Sequence, residues 1–307
     1  MVSSRLGLGV FLLLIVILPS LILSKPSGKP FGFLQHLEGC QKGMTMKGVH
    51  QLKRYLEKFG YLHYDDDDNI NHLNGDEFDD HLESAIKTYQ LNYGLKVTGS
   101  LDSQTVNEMM KPRCGVADII DGRTRMRSGN EKNQYGLLFK FFDGNPKWPA
   151  SQTHLTYRFR SMVEVVDLQA LSSVMSRAFA KWAAVTHFTF AEAAPETLAD
   201  IEIGFYRLDH GDGASFDGSG GVVAHSAAPT AGVSHYDADE KWSSSDPNET
   251  EMDLESVALH EIGHLLGLQH SDVPGAVMVS GIGPGVIKRE LQPDDIQGIH
   301  TSYNISG

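Results

Sequence analysis

The sequence predicts an α/β protein of the α+β kind: a domain with a twisted mixed sheet and three helices, preceded by a small three-helix unit. Three observations predict it. Residues 44–110 carry apolar residues at helical spacing. Short alternating runs between Leu155 and Tyr236 read as strands. Strongly amphipathic stretches, Asp167–Val185 and Leu254–Leu266, flank those runs, and a shorter helix starts after Pro293.

At the N-terminus, Arg5 precedes the apolar run Val10–Leu18, which Pro19 ends, with small or polar residues through Ser24. This is the pattern of a signal peptide over 1–24, and the run is short for a membrane span. In residues 25–118, the first helix is marked by Val49, Leu52, Leu56 and Phe59, with Gly60 as its stop. The acidic run Asp65–Asp68 and the polar stretch to Gly75 read as a solvated loop. The second helix uses Leu82, Ala85, Ile86, Tyr89 and Gln90. The third is capped by Ser103 and turns Val106, Met109 and Met110 inward. Residues 119–138 include Arg123, Arg125 and Arg127 without apolar periodicity, the composition of an exposed, cleavable linker. The second domain, 139–307, has strands at 155–159, 188–190, 201–205, 221–225 and 234–236. Leu168, Leu171, Val174, Met175, Ala178, Phe179 and Trp182 form the inner face of its first helix.

A net charge of -13 leaves no basic stripe for nucleic acid and disfavours docking on an anionic membrane. A chain with 41% apolar residues can bury a core without covalent staples. Two cysteines, Cys40 and Cys114, would ordinarily pair in a secreted protein.

The chemistry is concentrated in His260-Glu261-Ile262-Gly263-His264-Leu265-Leu266-Gly267-Leu268-Gln269-His270. On a helix, His260 and His264 share a face and can reach one metal, while Glu261 stands beside it as a proton acceptor. Gly267 can end the helix in the left-handed conformation and bring His270 back as third ligand. Three imidazoles and an open position are the ligand set of a catalytic zinc. Met278 follows at a distance suited to a turn beneath the metal. The alternative for Cys114 is then to fill the open position, because a thiolate is a good zinc ligand. In Pro112-Arg113-Cys114-Gly115-Val116-Ala117-Asp118, Arg113 and Asp118 can form an ion pair, and Gly115 allows close backbone approach. His210, Asp212, His225 and His235 form a second set of four possible zinc ligands.

Together Pro112–Asp118 and His260–His270 resemble the matrix metalloproteinases (matrixins, a metzincin family), in a plant-type short form without a hemopexin domain. The resemblance implies a zincin-like catalytic domain and a helical propeptide whose Cys114 silences the zinc. It implies a structural zinc at His210, Asp212, His225 and His235. It also implies calcium bound by Asp217, Asp237 and Glu240 with the carbonyls of Gly218, Gly220 and Val222. The implied activity is that of a secreted, monomeric zymogen that cleaves extended polypeptides in the extracellular matrix (the apoplast in a plant) after processing by itself or another protease. The strand Val222–Ser226 would bind substrate along its edge. Val279 and Ser280 depart from the Tyr and Pro that usually follow the family's methionine, and Ala117 replaces a common Pro. Asn248-Glu249-Thr250 and Asn304-Ile305-Ser306 are glycosylation sequons. The competing function is a binding or signalling protein on a weakly catalytic protease scaffold.

Overall fold

The computed structural model describes residues 28–64, 69–120, 123–124, 144–194 and 197–305. The N-terminal apolar run, the acidic run Asp65–Asp68 and most of the linker lie outside them, as does the expected domain start at Phe139.

The first unit is built on helices α1 (Val49–Lys58), α2 (Asn69–Asn74), α3 (Asp80–Asn92) and α4 (Ser103–Met109), with a 3-10 turn at Gly32–Leu37. α1 buries Val49, Leu52, Tyr55 and Leu56 as its apolar spacing requires, and Gly60, at φ 83, turns the chain out of it. Two details differ from the sequence reading. The stretch expected as loop up to Gly75 contains α2, and Lys53 Nζ donates to the carbonyl of His72 at its end (2.9 Å). The cap of α4 is Asp102, whose carboxylate accepts from Thr105 N at 2.9 Å, because a cap must precede the first helical turn and Ser103 lies within it. Val106 and Met109 are buried, and Met110 is only partly so.

The second unit has a six-stranded sheet in the order β1 (Arg113–Cys114), β7 (Val222–Ser226), β8 (Val233–Asp237), β6 (Ile201–Tyr206), β4 (His154–Phe159) and β5 (Thr189–Glu192). All neighbours are parallel except the pair β7 and β8. Helix α5 (Leu168–Val185) packs on α6 (Leu254–Leu265), and α7 (Pro293–Tyr303) closes the domain. Trp182 and Trp148 are buried between these layers, and their indole N–H groups donate to Leu259 O and Leu265 O, each at 2.8 Å. Leu168 does not belong to the inner face. It is 60% exposed, since it is the first residue after the N-cap Asp167 and lies before the helix meets the sheet.

Three short pairings carry no apolar alternation long enough to read in sequence. β2 (Ile119–Ile120) pairs with β3 (Arg123–Thr124) at the start of the expected linker. β9 (Trp242–Ser243) pairs with β10 (Met252–Asp253). β1 joins the sheet of the second unit from the end of the first. Among the described residues, no helix is long and apolar enough to cross a membrane.

Candidate metal centre and cleft

α6 is capped by Asp253, which accepts from Ser256 N at 3.0 Å, and it is buried on every side. Four residues apart, His260 and His264 stand on one face, with Nε2 atoms 3.0 Å apart. Leu266 caps the helix, Gly267 takes φ 97, and the chain returns so that His270 faces both rings. Each ring is held by its other nitrogen: His260 Nδ1 on Val277 O, His264 Nδ1 on Leu268 O and His270 Nδ1 on Asp118 Oδ1, all at 2.8 Å. Those acceptors place the protons on Nδ1 and leave three Nε2 lone pairs converging on one point. Burial pushes the pKa of His260 down to about 3 and those of His264 and His270 below the usual histidine range, so all three rings are neutral.

Cys114 completes the set. Its Sγ lies 3.5 Å from His264 Nε2, and ligand atoms of Cys114, His260, His264 and His270 all fall within 4.8 Å of one another. Both cysteines are free thiols, with Cys40 buried in the first unit's core, so the disulfide alternative is not the one realised. The residues fit a zinc ion on their own geometry. Converging lone pairs repel in the absence of a cation, and His270 Nε2 is buried without a hydrogen-bond partner. Both Glu261 oxygens are likewise buried, with no hydrogen bond of full geometry to the protein. Burial raises the Glu261 pKa to about 7, partly offset by Ser226 and Cys114. Burial, reinforced by Glu261, also pushes the Cys114 thiol well up, and a cation at the centre would reverse that.

The segment around Cys114 is held on both sides. Arg113 N donates to Gly221 O (3.0 Å) and Gly115 N to Ala224 O (2.8 Å), along β7. On the other side Cys114 N donates to Ser280 O (2.8 Å) and Ile282 N to Pro112 O (3.1 Å). A Cβ on Gly115 would lie 2.7 Å from Val222 Cγ1, so only glycine fits against the strand. The expected ion pair is present: Arg113 NH2 meets Asp118 Oδ1 at 2.8 Å, both fully enclosed, and the guanidinium lies 3.6 Å from the Phe59 ring centroid. Burial opposes ionisation of Asp118, but Arg113 and His270 outweigh it and hold the carboxyl well below its usual range. Three contacts had no sequence signal. Tyr61 and Tyr93 donate to Asp118 Oδ2 at 2.9 and 3.1 Å, and Tyr93 OH meets Ser280 Oγ at 2.9 Å. Ser280, the departure from the family pattern, thus touches the first unit. With Val279, Val223, Val257 and Lys288 it also lines a small cavity beside Glu261.

Met278 packs under the helix: a Cβ on Gly263 would stand 2.3 Å from its sulfur. The loop is pinned by Asp295 in the first turn of α7, which accepts from Val277 N and Met278 N at 2.9 and 3.1 Å. The start of α7 was legible at Pro293, but no role for this carboxylate was.

His210, Asp212, His225 and His235 also converge within 4.8 Å. Asp212 Oδ2 lies 2.9, 2.7 and 2.9 Å from His210 Nε2, His225 Nε2 and His235 Nδ1. Burial lowers the His225 pKa to about 4. The Asp217, Asp237 and Glu240 oxygens form no such group among the described residues. They accept from the amides of Val222 (2.8 Å), Gly218 (3.2 Å) and Gly220 (2.6 Å) respectively. Asn248 is exposed, with its side-chain oxygen accepting from Thr250 N, and Asn304 caps α7 in the left-handed conformation; Ser306 of the second sequon lies outside the described residues.

A buried His-Glu-x-x-His helix, a third histidine beyond a glycine turn and a methionine loop beneath define a zinc metalloendopeptidase. The chain belongs to the matrixin family: residues 147–304 match the family described as Matrixin, and residues 45–109 match one described as a putative peptidoglycan binding domain. It is 44% identical over 275 residues to metalloendoproteinase 5-MMP of Arabidopsis thaliana, covering 87% of this chain and 74% of that one. To metalloendoproteinase 1 of Glycine max it is 42% identical over 271 residues, covering 86% and 84%. To the neutrophil collagenase of Homo sapiens it is 35% identical over 289 residues, covering 90% and 55%.

Proposed function

We propose that the chain is the latent precursor of a secreted endopeptidase that cleaves extended extracellular polypeptides, with Glu261 as general base and acid. One observation carries this: Cys114 stands among His260, His264 and His270 while its own strand covers the edge of β7. Zinc, when bound, supplies a Lewis acid that polarises the scissile carbonyl and acidifies water. Removal of residues up to the linker withdraws Cys114 from the metal and β1 from the β7 edge in one step. An extended peptide can then pair with Val222–Ser226 through its backbone, so recognition depends on chain conformation more than sequence. Glu261 takes the proton of the attacking water and returns it to the leaving amine. Its raised pKa and its burial beside the ligand histidines suit both steps. The cavity lined by Val223, Val257, Val279 and Ser280 receives a substrate side chain.

His210, Asp212, His225 and His235 hold the structural zinc, a closed set suited to stability and not to catalysis. Asp217, Asp237 and Glu240 bind calcium. Burial raises the pKa of Asp217 to about 6 and that of Glu240 to about 7, a strain that a divalent cation relieves. The N-terminal apolar run supports secretion, as do two sequons.

The test is cleavage of a quenched peptide by purified precursor, with zinc and calcium, before and after a thiol-modifying mercurial. Activity should appear on treatment, disappear with chelators and fall by about 10²–10⁴ in Glu261→Ala. Cys114→Ser should be active untreated. Undiminished cleavage by Glu261→Ala would reject this mechanism, and no cleavage under any condition would favour a binding scaffold.

A further inference from the structure

His260 and His264 are oriented by carbonyls of their own domain, Val277 O and Leu268 O. His270 differs. Its Nδ1 is bound by the carboxylate of Asp118, 152 residues earlier, on the segment that carries Cys114. Asp118 is itself fixed from every side. Its backbone N–H donates to Phe59 O (3.1 Å), its Oδ1 is shared by Arg113 and His270, and its Oδ2 takes Tyr61 and Tyr93. Both side chains of the Asp118 and His270 contact are fully buried. A carboxylate on the far nitrogen of a metal-binding imidazole fixes its tautomer and orientation and raises its basicity.

Resting on the protease reading above, we propose that Asp118 is a positioning residue for the metal, lent to His270 by the precursor segment. The precursor then holds zinc more tightly than the mature enzyme, by a contribution separate from the Cys114 thiolate. Removal of the segment takes away two supports at once: the thiol that fills the fourth position and the carboxylate that aims the third ligand. The latent form is therefore the one in which the site is best built to acquire and retain zinc, and the active form works with a less constrained His270.

The experiment uses full-length precursor carrying Glu261→Ala, to prevent self-cleavage, and Cys114→Ser, to remove the thiolate. Zinc loss to a chromogenic chelator is timed in this protein, with Asp118→Asn added, or with Ser280→Ala added. Asp118→Asn should speed zinc loss about 10–100-fold, while Ser280→Ala, which removes a hydrogen bond holding the same segment without touching Asp118 or His270, should leave it nearly unchanged. Equal rates with and without Asp118→Asn overturn the proposal, as does the same acceleration by Ser280→Ala. If Asp118→Asn does not fold, NMR of the zinc-loaded parent decides. A downfield His270 Nδ1 proton that disappears when the segment is cleaved off supports the proposal, and a signal indifferent to cleavage overturns it. A parent protein that takes up no zinc, or whose zinc stoichiometry His264→Ala does not lower, overturns the protease reading itself.

Discussion

Arg113 is surrounded by groups that need its charge. Its guanidinium meets Asp118 Oδ1, Tyr93 OH and the face of Phe59, all out of water. Breaking a buried ion pair on one side leaves the other charge unpaired, at a loss of about 3–5 kcal/mol. Arg113→Ala should therefore yield a precursor that cleaves peptide without mercurial treatment, and a precursor as silent as wild type would show that the thiolate alone keeps it latent. Ser280→Ala removes one neutral hydrogen bond from Tyr93, worth about 1 kcal/mol. Spontaneous activation should then rise only about fivefold, measured as the rate of activity appearing on storage. At this scale the sequence was readable where chemistry is local: His260, Glu261, His264 and His270 lie within eleven residues, and Arg113 and Asp118 within six. It was silent on Asp118 with His270, Tyr93 with Ser280 and Asp295 with Met278. Those contacts join distant stretches and leave no spacing to recognise.

Among the elements, the long helices were legible because burial imposes a period, as the buried Leu171, Val174, Met175, Ala178, Phe179 and Trp182 of α5 show. β1, β9 and β10 have two residues each, too few for a period, and are held by neighbours. The stretch from Phe216 to Glu240, which carries β7 and β8, has energetics that depend on solution conditions. Asp217 and Glu240 have folded pKa values of about 6 and 7, raised by burial above about 4 for the unfolded chain. For a raised carboxylate, the folded state binds the extra proton. Without calcium, stability is therefore greatest below the unfolded value and declines as pH rises through 4 to 7, by several kcal/mol for the pair. Bound calcium offsets that loss only where the carboxylates are ionised. Thermal melts should show a larger calcium-induced rise in Tm at pH 8 than at pH 5. Equal rises at the two pH values would place calcium elsewhere.

Across the whole molecule, the two units share apolar packing as well as a latch. Tyr206, Phe216 and Val222 of the second unit are buried in the cluster formed by Leu52, Leu56, Phe59 and Tyr89 of the first. Val222 also pairs with Arg113 in the sheet, so the apolar contact and the strand that carries Cys114 meet at one place. The first unit thus packs on three side chains of the second as well as on the metal centre, and releasing Cys114 from the metal does not by itself detach it. Cleavage in the linker followed by dissociation exposes these three side chains, each losing on the order of 1–3 kcal/mol of burial. A domain of this size shifts by about 2–4 °C per kcal/mol, so residues 144–307 alone should melt several degrees below the intact precursor. Calorimetry of both, at matched zinc and calcium, measures the difference. A single transition in the precursor above that of the separated domain is the expected result. Two transitions, with the upper one unchanged by removing the segment, would mean that latency rests on the local contacts of Arg113, Cys114 and Asp118 and owes nothing to the shared core.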